Sequence, residues 1–243
     1  MKSRAYFVAT VAFLCVIAAS NVSFAQVACT PTSNYSTTAG PGAIVPGTTD
    51  IGQSCDDCFT TVTIPFPVRM YDQAPDTTIN IVSNGNAQLV STNTAFTNFC
   101  PMPVATMNNA YLPFWDDLRT DDQPGCTGYP GGLLSSCGIF TSISGVAPNR
   151  IFNIEWRTVY FDDPTLRAHL QLRLNEANAQ FVYVYGPLQG LTTSATVGVQ
   201  EGNGVAPNLF VQTACDGPGV TQNQQVAYNC TLVPVELQGF SIE

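Results

Sequence analysis

Ile151-Phe152-Asn153-Ile154-Glu155-Trp156-Arg157-Thr158-Val159-Tyr160-Phe161, then Asp162-Asp163-Pro164-Thr165, then Leu166-Arg167-Ala168-His169-Leu170-Gln171-Leu172-Arg173-Leu174, is the stretch that decides the fold. Apolar and polar side chains alternate with a period of two, which is the signature of a half-buried strand. In the first run Phe152, Ile154 and Trp156 fall on one face, with Asn153, Glu155 and Arg157 on the other. In the second, Leu166, Ala168, Leu170, Leu172 and Leu174 point inward, and Arg167, His169, Gln171 and Arg173 point outward. The Asp-Asp-Pro-Thr between them is turn chemistry. The two runs therefore read as an antiparallel hairpin.

Outward from this hairpin the same signals recur. Residues 60–64 are β-branched and end at Pro65-Phe66-Pro67. Residues 79–82 and 88–91 flank Ser83-Asn84-Gly85, and Asn-Gly between apolar runs is the strongest short hairpin signal. Residues 181–185, 194–200 and 237–242 add further short strands. Outside the N-terminus no window longer than two turns carries a helical apolar period. About ten short strands separated by turns predict an all-β fold: an antiparallel two-sheet β-sandwich, jelly-roll-like.

Residues 1–25 read as a signal peptide, with Lys2 and Arg4 before an apolar run and Ser23-Phe24-Ala25 as the cleavage site. Residues 26–53 are rich in Thr, Ser, Gly and Pro and read as an extended arm; residues 54–243 read as a single sandwich domain. The chain is expected to be secreted, to the extracellular space, the periplasm or the cell surface, with no membrane span once the leader is removed. Eight cysteines follow the leader: Cys29, Cys55, Cys58, Cys100, Cys126, Cys137, Cys215 and Cys230. An even number in an exported chain predicts up to four disulfides. Cys126 with Cys137 and Cys215 with Cys230 are the expected pairs, because each brackets a Gly/Pro-rich loop.

Charge narrows the partners. The net charge is −9, and Lys2 and Arg4 leave with the leader, so six arginines face 17 acidic residues and no lysine remains. Nucleic-acid binding, which needs cations to displace phosphate counterions, is excluded. One histidine excludes a multi-histidine metal site.

Taken in order, several motifs resemble a known module: Ile64-Pro65-Phe66-Pro67; Ile79-Asn80-Ile81-Val82-Ser83-Asn84-Gly85; Pro113-Phe114-Trp115-Asp116-Asp117-Leu118; Asn149-Arg150-Ile151-Phe152-Asn153-Ile154-Glu155-Trp156-Arg157; and Ala195-Thr196-Val197-Gly198-Val199-Gln200. The set is similar to a β-sandwich module of secreted bacterial proteins, related in pattern to the nidogen-like extracellular domain. The resemblance spans roughly residues 60–242. It implies an extracellular adhesive or structural role and carries over no catalytic residue.

Three constellations are candidates for function. Asp116, Asp117, Asp121 and Asp122 follow Trp115 within seven positions and offer the oxygen ligands that a hard cation wants, which makes calcium the one cofactor the sequence suggests. Asp56-Asp57 and Asp162-Asp163 are weaker candidates, the latter as turn residues. The outward face of Glu155, Arg157, His169, Gln171 and Arg173 offers acid/base groups or a cross-strand charge ladder. Tyr111 and Trp115 offer stacking surface for a sugar. Glu155, Arg157, His169, Arg173, Tyr111 and Trp115 are thus the expected ligand-binding residues. The function expected is non-catalytic: extracellular adhesion, matrix or surface assembly, or binding of an extracellular protein or glycan. Self-assembly would use the arm as a strand added to a neighbour's sheet. The rival is a calcium-dependent carbohydrate-binding protein or hydrolase built on residues 116–122.

Overall fold

A computed structural model describes residues 26–129, 136–190, 192–203, 209–217 and 219–233. The expected leader and the expected strand at 237–242 lie outside the described residues.

Fourteen strands are described: β1 (Ser36–Pro41), β2 (Thr49–Asp50), β3 (Phe59–Val68), β4 (Asp76–Val82), β5 (Asn86–Gln88), β6 (Ala110–Trp115), β7 (Leu118–Arg119), β8 (Gly138–Ser144), β9 (Ile151–Tyr160), β10 (Arg167–Asn175), β11 (Phe181–Leu188), β12 (Thr196–Gln200), β13 (Phe210–Cys215) and β14 (Gln224–Asn229). They build two antiparallel sheets. The first runs β1-β14-β11-β10-β9-β8-β2, with β7 also on β9; the second runs β13-β12-β6-β5-β4-β3. The β9–β10 hairpin sits in the middle of the first sheet, in the register that the alternation requires: Leu170 faces Trp156, Leu172 faces Ile154, and Leu174 faces Phe152.

These inward residues pack against the second sheet with Tyr111, Phe114, Phe181, Tyr183, Tyr185 and Tyr228, all buried. Large aromatic rings bury much area but carry polar tips that need partners. Here the tips reach the opposite sheet's backbone. Trp156 Nε1 donates to the Val82 carbonyl at 2.8 Å, Tyr185 Oη to Pro113 at 2.8 Å, and Tyr183 Oη to Gly198 at 2.7 Å. The Asn-Gly turn behaves as its sequence predicts. Gly85 has φ +65°, and a Cβ there would meet the Phe114 carbonyl at 2.1 Å, so only glycine fits.

The outer faces differ from the expectation of a wet surface. Met102, Val104, Met107, Leu112 and Trp115 form a second cluster on the outside of the second sheet. Cys126, Tyr129, Cys137 and Val159 form a third on the outside of the first. Loops thus cover both sheets.

The arm is built into the first sheet. Its strands close the two ends of the first sheet of the same chain, β1 on β14 and β2 on β8. Cys29 pairs with Cys230 across 201 positions, tying the arm down through its cysteine. Cys126–Cys137 is the expected bond, and Cys55 pairs with Cys58. The expected Cys215–Cys230 bond is corrected: Cys215 pairs with Cys100. Cys215 ends β13 in the second sheet, whereas Cys230 follows β14 in the first, so the loop between them crosses the sandwich and separates them.

Peptide mapping without reduction is expected to recover Cys29 linked to Cys230 and Cys100 linked to Cys215. Replacing Cys29 and Cys230 by serine together is expected to lower unfolding stability by roughly 5 kcal/mol, from the entropy of so long a released loop, measured by denaturant titration.

Candidate functional site

The expected polar face of β9 and β10 does form. His169 lies opposite Arg157 and Gln171 opposite Glu155. It is not open to solvent, however. Glu155 is 0% exposed, Arg157 6% and His169 8%. Residues 43–47 of the arm cross it as a strap. Gln171 binds Val45 at both backbone groups, accepting from its amide at 3.1 Å and donating to its carbonyl at 2.5 Å. The Gly47 amide donates to Glu155 Oε2 at 2.6 Å, and Arg173 donates to the Ala43 carbonyl.

Beneath the strap, Arg157 grips Glu155 through two nitrogens, each at 3.0 Å, and His169 Nε2 lies 2.6 Å from Glu155 Oε1. The Tyr129 ring meets the His169 ring edge-on, and the Arg157 guanidinium stacks over Phe140 at 3.8 Å. Gly186 makes room for the imidazole, since a Cβ there would lie 2.6 Å from Nδ1. Burial alone would raise the Glu155 carboxyl, but the His169, Arg157 and Gly47 hydrogen bonds outweigh it and hold it below its ordinary range. The face is a packed polar core beneath the strap, not a surface open to solvent. Tyr111 and Trp115 are buried as well. Tyr111 lies between the sheets, and Trp115 lies under the segment before β6, with Nε1 donating to the Ala95 carbonyl at 2.8 Å.

The acidic loop is divided by the fold. Asp121 is held by both Nε and Nη2 of Arg119 at 2.6 Å, which lowers its pKa, and Asp122 is exposed. Asp116 is buried, accepting from Ser194 Oγ at 2.5 Å and from the Asp117 amide. Asp117 instead meets Asp56 and Asp57, which the turn between Cys55 and Cys58 presents; one carboxylate oxygen from each lies within 4.8 Å of the others. Burial first, then the charges of Asp56, Asp57, Asp116 and Asp162, pushes Asp117 up to about 6. Asp116, Asp117, Asp162 and Asp163 also line a recess of about 390 Å³ with Tyr160, Leu166, Gly190 and Ser194. One end of the sandwich thus gathers carboxylates from several turns. Of these, Asp116 and Asp117 were marked by sequence spacing; Asp56, Asp57 and Asp162 carried only their acidic doublets as a signal.

The fold and its sites stand beside one family comparison: the chain matches the family model described as NIDO related over residues 30–238. The chain belongs to the NIDO-related family. No curated protein and no solved structure matches it. In this NIDO-related chain the match runs from the arm, through both sheets, to beyond β14, so the strap over the β9–β10 face lies inside the family's own span. Among the described residues, no helix is long and apolar enough to cross a membrane.

Among the described residues, Glu155→Gln removes the only charge that neutralises buried Arg157 at hydrogen-bond distance. It is expected to cost roughly 3–5 kcal/mol near neutral pH, as breaking a buried pair does. The stabilisation from this carboxylate is present above its ordinary value of 4.5 and fades as pH falls through its lowered value. The gap between wild type and Glu155→Gln in thermal melts is therefore expected to shrink with acidification.

Proposed function

We propose that this NIDO-related protein is a secreted, non-catalytic module that binds an extracellular protein or glycan in adhesion or surface assembly. The family is an extracellular-type domain, and four cysteine pairs suit an oxidising compartment. The observation that carries the reading is the fate of the acid/base groups. The chain's one histidine and its glutamate partner lie under the strap, hydrogen-bonded and packed, where a substrate does not reach them. Acid/base catalysis needs such groups within reach of the reacting bond. The surface left for a partner is the turn-rich end that carries the acid-lined recess, with Phe96, Phe99 and Phe161 among the exposed large apolar side chains.

The oxidised chain is expected to bind surfaces coated with extracellular proteins or glycans saturably, without turning over ester, peptide or glycan substrates. Turnover that disappears in a folded His169→Gln variant would replace this reading with the hydrolase one.

A further inference from the structure

We propose that β1 is a docking edge for a second copy of this chain, the two β1 strands pairing antiparallel about a two-fold axis at Thr38 and joining the two first sheets into one. This goes beyond the adhesive reading, which holds for one copy or two. A strand edge presents unpaired amides and carbonyls that another chain can take up, and proteins guard such edges with short strands, charges, prolines or bulges. Among the described residues the two sheets have four edge strands, and three of them are guarded. β2 is two residues long and ends on Asp50. β3 carries Pro65 and Pro67 and loses register between Thr63 and Val68. β13 has its Phe210 carbonyl taken by Asn34 Nδ2 at 2.8 Å, and its ladder with β12 shifts register between Val197 and Gly198.

β1 has none of these devices within Ser36-Thr37-Thr38-Ala39-Gly40, and its proline stands last. Among the described residues its backbone pairs with β14 alone. Ser36, Thr37, Thr38 and Ala39 are all exposed, so the strand meets solvent on both faces as well as along its edge. A Cβ on Gly40 would meet nothing within 4 Å. The Gly42 amide donates to the Asn223 carbonyl. Counting back in twos, Gly40, Thr38 and Ser36 turn their backbone groups to β14, and Thr37 and Ala39 turn theirs to the open edge.

Charge and shape select the occupant. The chain carries a net −9, yet residues 26–49 and 217–233, which hold β1 and β14, contain no Asp, Glu, Lys or Arg. Two acidic copies can therefore meet here without setting like charges against each other. With the axis at Thr38, Thr37 faces the partner's Ala39 and Ala39 faces the partner's Thr37, and each such pair exchanges two hydrogen bonds. Thr38 faces its own equivalent as a close threonine pair, and Gly40 faces the partner's Ser36; every contact is small and neutral. The flanking amides are not left unmet. Pro41 has none, and that of Tyr35 donates to Asn34 Oδ1 at 3.0 Å. Such self-complementarity is what a two-fold contact requires, and it closes at two copies instead of growing into a filament.

Light scattering on the disulfide-bonded protein at physiological salt tests the pairing. The mass is expected to rise from one chain toward two between about 10 µM and about 1 mM, the weak association of a small interface. Ala39→Pro removes an outward amide that β14 does not use. Thr38→Lys sets two like charges against each other on the axis while making the chain less acidic overall. Each is expected to weaken association at least about tenfold. Val146→Lys, in the exposed turn after β8, is expected not to weaken it. On oxidation, Thr38→Cys is expected to link two chains, because the paired Cα atoms lie about 4.5 Å apart. Gly40→Cys is expected not to, because its two copies lie roughly 13 Å apart along the strands. All variants are expected to keep the wild-type circular dichroism, and Thr38→Lys, at an exposed side chain, serves if Ala39→Pro misfolds. A mass of one chain at about 1 mM, or association that neither Ala39→Pro nor Thr38→Lys weakens, would overturn the proposal. Linkage through Gly40→Cys but not Thr38→Cys would overturn the two-fold register. A chain that stays single yet binds extracellular proteins or glycans would sink this pairing and leave the adhesive reading standing.

Discussion

The fold depends on the way aromatic side chains of the first sheet hand their polar tips to the backbone of the second. Trp156, Tyr183 and Tyr185 each bury a large ring between the sheets and each end on a carbonyl of β4, β6 or β12. Leu112, in β6, returns the contact by donating its amide to Tyr183 Oη at 3.0 Å. Burial of rings is non-directional and would tolerate many slides of one sheet over the other. The hydrogen bonds are directional and fix one registry, because a slide would leave a buried hydroxyl or indole N–H unmet.

That registry sets what happens outside. With β9 and β10 placed by their inner residues, their outer residues present a glutamate, two arginines, a histidine and a glutamine in the middle of the sheet. An uncovered row of that kind would be an ordinary charge ladder, each pair contributing little. Residues 43–47 turn it into a low-dielectric network in which every bond counts for more. The strap, Ala43-Ile44-Val45-Pro46-Gly47, has no polar side chain of its own; the side chains beneath it supply its hydrogen bonds much as a neighbouring strand would.

Local order was legible in the sequence because it is local. The alternation of residues 151–174 gives the hairpin, its register and its buried face, and Asn84-Gly85 gives the turn that only glycine can make. What was not legible depends on partners far along the chain. Gly47 reaches Glu155 across 108 positions and Val45 reaches Gln171 across 126, so period-two reading marks those side chains as wet when they are covered. Short spacing gives Cys126–Cys137 correctly but fails at the last pair: proximity in sequence favours Cys215 with Cys230, whereas sheet assignment sends them to Cys100 and Cys29. The acids show both effects. Asp116 and Asp117 announce themselves beside Trp115, but Asp121 is claimed by Arg119 two residues away, and the true neighbours of Asp117 come from the Cys55–Cys58 turn.

The clasp between Cys29 and Cys230 gives the molecule a mechanical property. It joins points 201 positions apart in sequence whose Cα atoms lie 5.7 Å apart. Once the contacts of Gln26 and Val27 with residues 69 and 175–179 have parted, tension applied to the chain before residue 29 and after residue 230 travels through one covalent bridge and bypasses the fold between them. Both sheets, the strap and the acid-lined turns then sit in a slack loop, and pulling on the two ends neither shears the hydrogen-bond ladders nor deforms the recess.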